Sequence, residues 1–251
     1  MDPRPALRNR LRTARTDSGA SPAQVADALG WSLVDFLAVE AVAGPIDDGR
    51  LSALLDHYGL LDHAIPVAGL GEDLLSREVR LLATYEAEAS SIRSFEPALV
   101  PGLLQTRQYA EVALGLFAAR DAVGPLVEAR LARQALLDRD DRPPMRFLID
   151  ESALHRWAGA TGDGPEIMRA QLDRLRLLAR HPRIDIRIVP YSAGLHDGLK
   201  GPFVVLERPE LLYLEGEKGD VVRTGPDEVH IHRERFDTLS GLAVPLLTAW
   251  A

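Results

Sequence analysis

The segment YEAEASSIRSFEPALVPGLLQTRQYAEVAL, residues Tyr85–Leu114, decides how the rest of the chain is arranged. Its first part has the pattern of a helix that runs into Pro97, and the pattern resumes after Pro101-Gly102. Proline has no amide donor and crowds the preceding turn, so we expect the chain to turn here. The turn contains more apolar residues than a solvent loop would, which predicts burial between two layers for Leu99, Val100, Leu103 and Leu104.

Composition predicts a globular protein with a substantial core. The chain has 251 residues, 46% of them hydrophobic, and a formal net charge of -8. It has no cysteine, which excludes disulfides, thiolate metal sites and a cysteine nucleophile. The charged start, MDPRPALRNRLRTAR, is unlike a secretory signal, and the charge-free run Thr238–Ala251 is shorter than the ~20 residues of a membrane span. We therefore expect a cytoplasmic protein without membrane contact.

Residues 1–65 have the pattern of short helices separated by glycine turns. The first carries Leu7, Leu11 and Ala14 and ends at Gly19, and Ser21-Pro22 is typical of a helix N-terminus. The later helices are predicted at Ser32–Ala41 and around Leu51, Leu54, Leu55 and Tyr58. The segment S-x-x-Q-V-A-D-A-L-G at residues 21–30 resembles an XRE-type helix-turn-helix module. Glu40 matches the glutamate that usually ends the recognition helix in that family.

The third predicted helix is poorly suited to reading DNA. Bases are read through polar and basic side chains, but this helix offers Leu33, Val34, Leu37 and Ala38 beside Ser32 and Asp35. Residues 21–65 hold one basic residue, Arg50, against seven acidic ones, and phosphate contacts need the opposite balance. The first helix is basic, so the candidate DNA contacts are Arg8, Arg12, Arg15 and Ser32. Whether this patch binds phosphate or is simply a solvated helical face stays open.

The remainder of the chain, residues 66–251, is predicted to form a second, larger domain of mixed structure. A linker at 62–70 leads into a long helix carrying Leu74 to Ala89, and further helices are expected at 108–118 and 125–138. Strand patterns follow at Met145–Ile149, Ile184–Val189, Phe203–Leu206, Leu211–Leu214 and Val221-Val222, with helices at Glu166–Ala179 and Asp227–Leu239. We predict an α+β fold: an all-α head, then a small, mostly antiparallel sheet with flanking helices.

A set of motifs in this part resembles a domain of unknown function that follows XRE-type modules in regulators of high-GC Gram-positive bacteria. The set covers residues 72–245 and comprises IRSFEP-x-LVPGLLQT-x-x-YA, R-x-x-R-Q at Arg130–Gln134, DESAL, M-x-x-Q-L, I-x-I-x-I-V-P, G-x-H-x-G…GPF and Y-x-EG. The resemblance implies descent from a transcriptional regulator. It implies neither a ligand nor a reaction.

Candidate site residues lie where predicted strands end, because polar groups converge there over an apolar floor. The catalytic candidates are Glu151, His196, Tyr213 and Glu215, and the ligand-contact candidates are Asp150, His155, Trp157, Tyr191, Asp197 and Gln105. If the strands are neighbours, these groups line one pocket. Structural alternatives remain open: Glu151 as a helix cap, His196 as a loop residue that binds backbone, and Tyr213 with Glu215 as the wet face of a strand.

No metal or cofactor is predicted. His230 and His232 lie two residues apart on a predicted helix and therefore point to different sides, whereas His230 shares a face with Glu234. Dinucleotide-binding, Walker-type and G-x-S-x-G motifs are absent from the sequence.

Three functions are compatible with these patterns. The first is a regulator whose head binds DNA and whose larger domain senses a small molecule. The second is a regulator scaffold reused as a biosynthetic enzyme of cyclase or rearrangement type. The third is an interaction module that binds another regulator. The partners expected are thus a small molecule, DNA or a protein, and a homodimer is compatible with each function.

Overall fold

The structure, a computed structural model, describes residues 4–40, 50, 53–54, 57–58, 77–158, 163–216 and 219–249. Its N-terminal part, here called the head, contains α1 Arg4–Asp17, α2 Pro22–Ala28 and α3 Leu33–Glu40. The Ser21 hydroxyl accepts a hydrogen bond from the Gln24 amide, and the Gln24 side chain accepts one from the Ser21 amide, so the predicted cap is confirmed. The predicted fourth helix lies largely outside the described residues. The predicted linker at 62–70 and the domain boundary after residue 65 lie entirely outside them.

The larger part of the chain alternates helices and strands. In order, the elements are α4 Arg77–Glu88, β1 Ser91–Glu96, α5 Arg107–Gly115, α6 Arg120–Arg133, β2 Met145–Asp150, α7 Glu151–His155, α8 Gly164–Leu178, β3 Ile184–Val189, β4 Phe203–Glu207, β5 Leu211–Leu214, β6 Val221–Arg223, α9 Pro226–Leu242, β7 Val244–Pro245 and α10 Leu246–Ala249. Short 3-10 turns lie at Gly102–Leu104, Gln134–Asp138, Tyr191–Ala193 and Asp197–Lys200.

The strands form one mixed sheet in the order β6-β5-β4-β1-β2-β3-β7. The pairs β1–β2 and β2–β3 are parallel, and the other pairs are antiparallel. The predicted α+β class is confirmed, but a mostly antiparallel sheet is wrong, because the centre of the sheet is parallel. The helices between β1 and β2, and between β2 and β3, are the crossovers that a parallel pair requires.

The central strand, β1, lies where the sequence predicts a continuous helix. Helix α4 ends at Glu88, and Ser91–Glu96 pairs with β2 on one side and β4 on the other. The helical pattern of residues 77–88 is real, but the next six residues gain more by completing the sheet and burying Ile92 and Phe95. Tertiary pairing therefore overrides the local pattern. The predicted burial of the turn that follows is confirmed for Val100, Leu103 and Leu104, which are core residues, whereas Leu99 is only partly buried.

The sheet separates two apolar layers. One face carries Ile92, Phe147, Ile186 and Tyr213 and packs against the layer that includes α4, α5 and α8. The other face carries Phe95, Leu148 and Phe203 and packs against Val229, Phe236 and Leu239 of α9. Because side chains alternate along a strand, each polar residue at a strand end belongs to one of these two faces.

Candidate functional site

The backbone of the turn between β1 and α5 is held by polar side chains from neighbouring helical segments. The side-chain nitrogen of Gln134, Nε2, donates to the backbone carbonyl oxygens of Gly102 and Gln105, both at 2.9 Å. The Gln134 carbonyl oxygen accepts a hydrogen bond from Arg174 at 2.8 Å. On α8, the Gln171 side chain donates to the Leu104 carbonyl at 2.8 Å, and its oxygen accepts the Thr106 amide at 2.7 Å. The glutamines of R-x-x-R-Q and M-x-x-Q-L therefore replace the hydrogen bonds that a turn lacks.

Gln105, a predicted ligand contact, belongs to the same network and is 1% exposed. Its nitrogen donates to the Val100 carbonyl at 2.7 Å, and its oxygen accepts from the Arg130 guanidinium at 2.8 Å. Both ends of the amide are occupied, so the structure gives this side chain a role in holding the turn.

A pocket of about 820 Å³ opens beside this turn, on the face of the sheet covered by α5. Its wall is formed by the residues after β1, the exposed end of α5, the residues after α7, and the residues flanking β4 and β5. Most of the lining is apolar: Pro97, Ala98, Leu99, Tyr109, Val112, Ala113, Leu116, Phe117, Trp157, Ala158 and Pro202. The charged or titratable lining residues besides Tyr109 are Glu96, Glu215, His155 and Arg156. A concave apolar surface with few polar groups is the usual form of a small-molecule site.

Glu96, at the end of β1, is an ionisable group at the floor of the pocket and is 9% exposed. Burial, and then the neighbouring charge of Glu215, raise the pKa of Glu96 well above its usual value, although Arg130 opposes the shift. Among the described residues, we find no donor of a hydrogen bond to this carboxyl group. An acid in such a place holds its proton to a higher pH than a glutamate in water does.

Glu215 follows β5 and lines the same pocket as Glu96, with β4 lying between their two strands. The side chain of Glu215 is exposed to solvent, although many protein atoms surround its carboxyl group. This burial and the charge of Asp220 raise the pKa of Glu215, whereas the charges of Arg130 and Arg133 lower it. The predicted catalytic residue Glu215 therefore lies at a pocket, next to an acid that the sequence analysis did not single out.

Tyr213 and Arg133 are engaged behind the pocket. The Tyr213 hydroxyl donates to Asp220 at 2.6 Å, and burial is the first cause that raises the pKa of Tyr213. The Arg133 guanidinium binds both oxygens of Glu86, at 3.0 and 2.9 Å, with the Glu86 side chain 3% exposed. Tyr213 is itself a core residue, so the predicted wet face of β5 is wrong for this position.

Asp150 and His196 lie on the other face of the sheet. The His196 Nε2 atom is 3.3 Å from an Asp150 oxygen, and the imidazole packs edge-on against Phe95 in the layer beneath α9. The second Asp150 oxygen accepts the Ser152 amide at 2.9 Å, so Asp150 caps α7, a role the sequence analysis considered for Glu151. The predicted convergence of all candidates in one pocket is therefore wrong, because the strand alternation divides them between two faces.

The remaining candidates form small contacts near the strand ends. Glu151 accepts the Tyr191 amide at 2.7 Å and pairs with His155 at 3.2 Å, and the His155 and Tyr191 rings stack at 5.8 Å. His155 and Trp157 also line the pocket. Asp197 pairs with Lys200 at 2.8 Å, which is the main reason its pKa is lowered.

In the head, two of the candidate DNA contacts bind Glu40 at the end of α3. Arg15 donates to both Glu40 carboxylate oxygens, at 2.7 and 3.1 Å, and Arg12 donates to the Glu40 carbonyl at 2.8 Å. Ser32 accepts the Asp35 amide at 3.1 Å and so begins α3. The side chain of Arg8 lies outside the part that the structure describes. These contacts hold α1 against α3, so the family glutamate has a structural role here.

The outer face of α3 is apolar. Val34 is 77% exposed, and Leu33 and Leu37 are also exposed. The one polar group at its start, Asp35, pairs with Arg50 at 3.2 Å. This surface resembles a protein contact more than a base-reading helix.

The described residues contain neither a cluster of metal-binding side chains nor a helix that could span a membrane. Within them, no group of three or more His, Asp or Glu side chains is arranged to hold a metal ion. Among the helices that the structure describes, none is both long enough and apolar enough to cross a membrane.

Glu96 was not predicted as a site residue, because the sequence pattern of residues 85–96 indicated a helix. The sequence carries no strand signal here, because Ile92–Glu96 does not alternate apolar and polar residues. Arg130 was recognised as part of a motif but was given no site role. In the structure, Arg130 is the cation whose charge acts on both Glu96 and Glu215.

Comparison with known families gives two matches. The family model of a domain of unknown function, DUF5753, matches residues 79–248, more than half of the chain. A helix-turn-helix domain model matches residues 6–66. No curated protein and no solved structure matches the chain. The first match includes every element that forms the pocket, and the second includes the head.

Proposed function

We propose that this chain, which belongs to the DUF5753 family and carries an N-terminal helix-turn-helix domain, is a transcriptional regulator that responds to a small molecule. The helix-turn-helix domain makes regulation the expected activity. The observation that carries the ligand part is the pocket of about 820 Å³ with mostly apolar walls and the buried Glu96 at its floor.

A ligand in this pocket would contact elements that connect the sheet to the helical layer. Its lining includes residues on both sides of the turn that Gln134 and Gln171 hold, together with one face of α5. A ligand that packs against Leu99 and Tyr109 therefore contacts the link between the central strand and the helical layer. Two packed layers joined by a short turn transmit a displacement better than an exposed loop does.

DNA binding is tested with the full-length chain. Fragments of the genome that encodes it are incubated with the protein, and bound fragments are recovered at increasing ionic strength. We expect the logarithm of the affinity to fall linearly with the logarithm of salt concentration, because phosphate contacts release counterions. No retained fragment at low ionic strength contradicts a DNA-binding function.

Ligand binding is tested with a variant that fills the pocket. Val112→Trp places an indole among the lining residues, and Glu111→Trp places one on the exposed side of the same helix as a matched control. Each protein is purified from its own cells, denatured, and its released compounds are identified by mass spectrometry. We expect a compound that accompanies the wild type and Glu111→Trp but not Val112→Trp. Identical compounds from all three contradict binding in this pocket.

An enzyme of cyclase or rearrangement type is the second candidate. Its support is the raised pKa of Glu96 in an apolar pocket, because a carboxyl group that keeps its proton can act as a general acid. The two candidates differ in what becomes of the bound compound. A regulator releases it unchanged, whereas an enzyme converts it, and Glu96→Gln then abolishes the conversion.

A further inference from the structure

Glu96 is a polar side chain that is nine-tenths buried, faces the pocket, and receives no hydrogen bond from the described residues. A buried carboxyl group in that condition loses its hydration without compensation. A ligand group that donates hydrogen bonds would remove this cost. The floor of the pocket therefore favours a ligand group that donates hydrogen bonds over one that accepts them.

The charges around Glu96 are unbalanced towards acid. Glu215 borders the same pocket, and the one arginine in the pocket lining, Arg156, is exposed to solvent. Arg130 lies behind the floor and donates to Gln105. Two further acids near Glu215 are already engaged, Asp220 by the Tyr213 hydroxyl and Glu86 by Arg133.

The surroundings of the two acids favour their neutral forms more than water does. The pKa values of both Glu96 and Glu215 are raised, first by burial, and for Glu96 next by the charge of Glu215. Arg130 acts on both carboxyl groups, and Arg133, which also acts on Glu215, is already bound to Glu86, so the two acids cannot both ionise at low cost. A second cation between them would favour the ionised form of both carboxyl groups and lower their pKa values.

The walls define the remainder of the ligand. They are apolar, and Phe117 and Trp157 stand exposed at the mouth, 80% and 68%. Aromatic side chains bind apolar bodies and also attract cations through their ring faces. A ligand with an apolar skeleton and one positive group matches both the walls and the floor.

We propose that the pocket takes an apolar organic cation, such as a hydrophobic amine, with its ammonium group between the carboxyl groups of Glu96 and Glu215. This inference rests on the proposed ligand-binding function and specifies the chemical class of the ligand. Arg156 and His155 are exposed to solvent, and water screens the charge of the arginine.

The test compares three molecules that share one skeleton and differ in charge: 1-naphthylmethylamine, 1-naphthalenemethanol and 1-naphthoic acid. Binding to the full-length protein is measured by titration calorimetry at neutral pH in two buffers with different ionisation heats. We expect the amine to bind about tenfold or more tightly than the alcohol or the acid, because only the amine offers a charge to the glutamates. Binding of the amine, but not of the alcohol, should release protons to the buffer.

Variants distinguish recognition of the positive charge from binding of the apolar skeleton. In Glu96→Gln and Glu215→Gln the preference for the amine should fall by about tenfold and the proton release should diminish, while the alcohol binds as before. In Val112→Trp both the amine and the alcohol should lose binding, and Glu111→Trp should behave as the wild type.

The outcomes distinguish the two levels of the argument. Equal binding of amine and alcohol, lost in Val112→Trp, overturns the cation inference and leaves the proposed function standing. Preferential binding of the acid, or an amine preference that survives both glutamine variants, also overturns the cation inference. Failure of all three molecules to bind contradicts the pocket as a small-molecule site as well.

Discussion

Replacing Gln134 by methionine removes the amide that holds the turn after β1 while keeping a side chain of similar length. The Gln134 nitrogen donates to the carbonyl oxygens of Gly102 and Gln105, and its oxygen accepts from Arg174. Methionine fills nearly the same volume, so the substitution removes hydrogen bonds and leaves the packing largely intact.

The cost follows from what is left unpaired. A buried carbonyl that loses its donor costs about 1–3 kcal/mol, and the Gln105 carbonyl is the more buried of the two. Arg174 loses its hydrogen bond to Gln134 but keeps the one to the Leu104 carbonyl at 3.1 Å. Because Arg174 is half-buried, this loss adds little to the cost. We expect Gln134→Met to reduce the free energy of unfolding by about 3 kcal/mol. The melting temperature then falls by about 6–12 °C for a chain of this size.

Thermal unfolding followed by circular dichroism measures the change, and hydrogen exchange of residues 99–106 shows whether the turn itself opens. Gln108→Met is the matched control, because Gln108 is exposed on α5. A loss below about 1 kcal/mol, or the same loss in both variants, would refute the claim that Gln134 holds the turn.

Three further predictions concern stability. Because the pKa of Glu96 is raised in the folded protein, the stability of the wild type should fall as pH rises above 4.5, the usual pKa that Glu96 has in the unfolded chain. In urea titrations, the stability of Glu96→Gln relative to the wild type should therefore increase with pH. A difference in stability that does not depend on pH would contradict this. Gly198→Ala places a Cβ into the ring of Phe95 and should lose about 1–3 kcal/mol by calorimetry. Gly124→Ala, whose Cβ meets no atom within 4 Å, is its control and should be neutral or stabilising, so equal losses would argue against the contact. Arg15→Met breaks the bidentate ion pair with Glu40, which is covered but close to the surface. It should destabilise the head by about 1–2 kcal/mol in urea unfolding. An unchanged unfolding midpoint would show that the pair contributes nothing to stability.

The parts of the fold that could be predicted are those fixed by local chemistry. Ser21 begins a helix because its hydroxyl binds a free amide, and Gly19 and Gly30 end helices with φ values of 71° and 68° that glycine adopts readily. The strand Ile184–Val189 was recognisable from its alternation, with Ile184, Ile186 and Ile188 buried on one face.

The parts that could not be predicted depend on contacts between distant residues. Strand β1 follows a helix without a proline or glycine between them, and only its pairing with β2 and β4 makes it a strand. The parallel centre of the sheet follows from that pairing.

The same limit applies to the candidate site. Glu215 was found because it follows a recognisable strand, whereas Glu96 was missed with β1. The division of Asp150 and Glu215 between two faces depends on register, which a single sequence does not specify.

NMR titration of isotope-labelled glutamate carboxyl carbons can follow the ionisation of Glu96 directly, with Glu96→Gln used to assign its signal. In the free protein we predict that Glu96 stays protonated well above the usual pKa of 4.5, and that adding 1-naphthylmethylamine lowers its pKa. A Glu96 that titrates at its usual value and does not respond to the amine would contradict a buried acid at the floor of a ligand pocket.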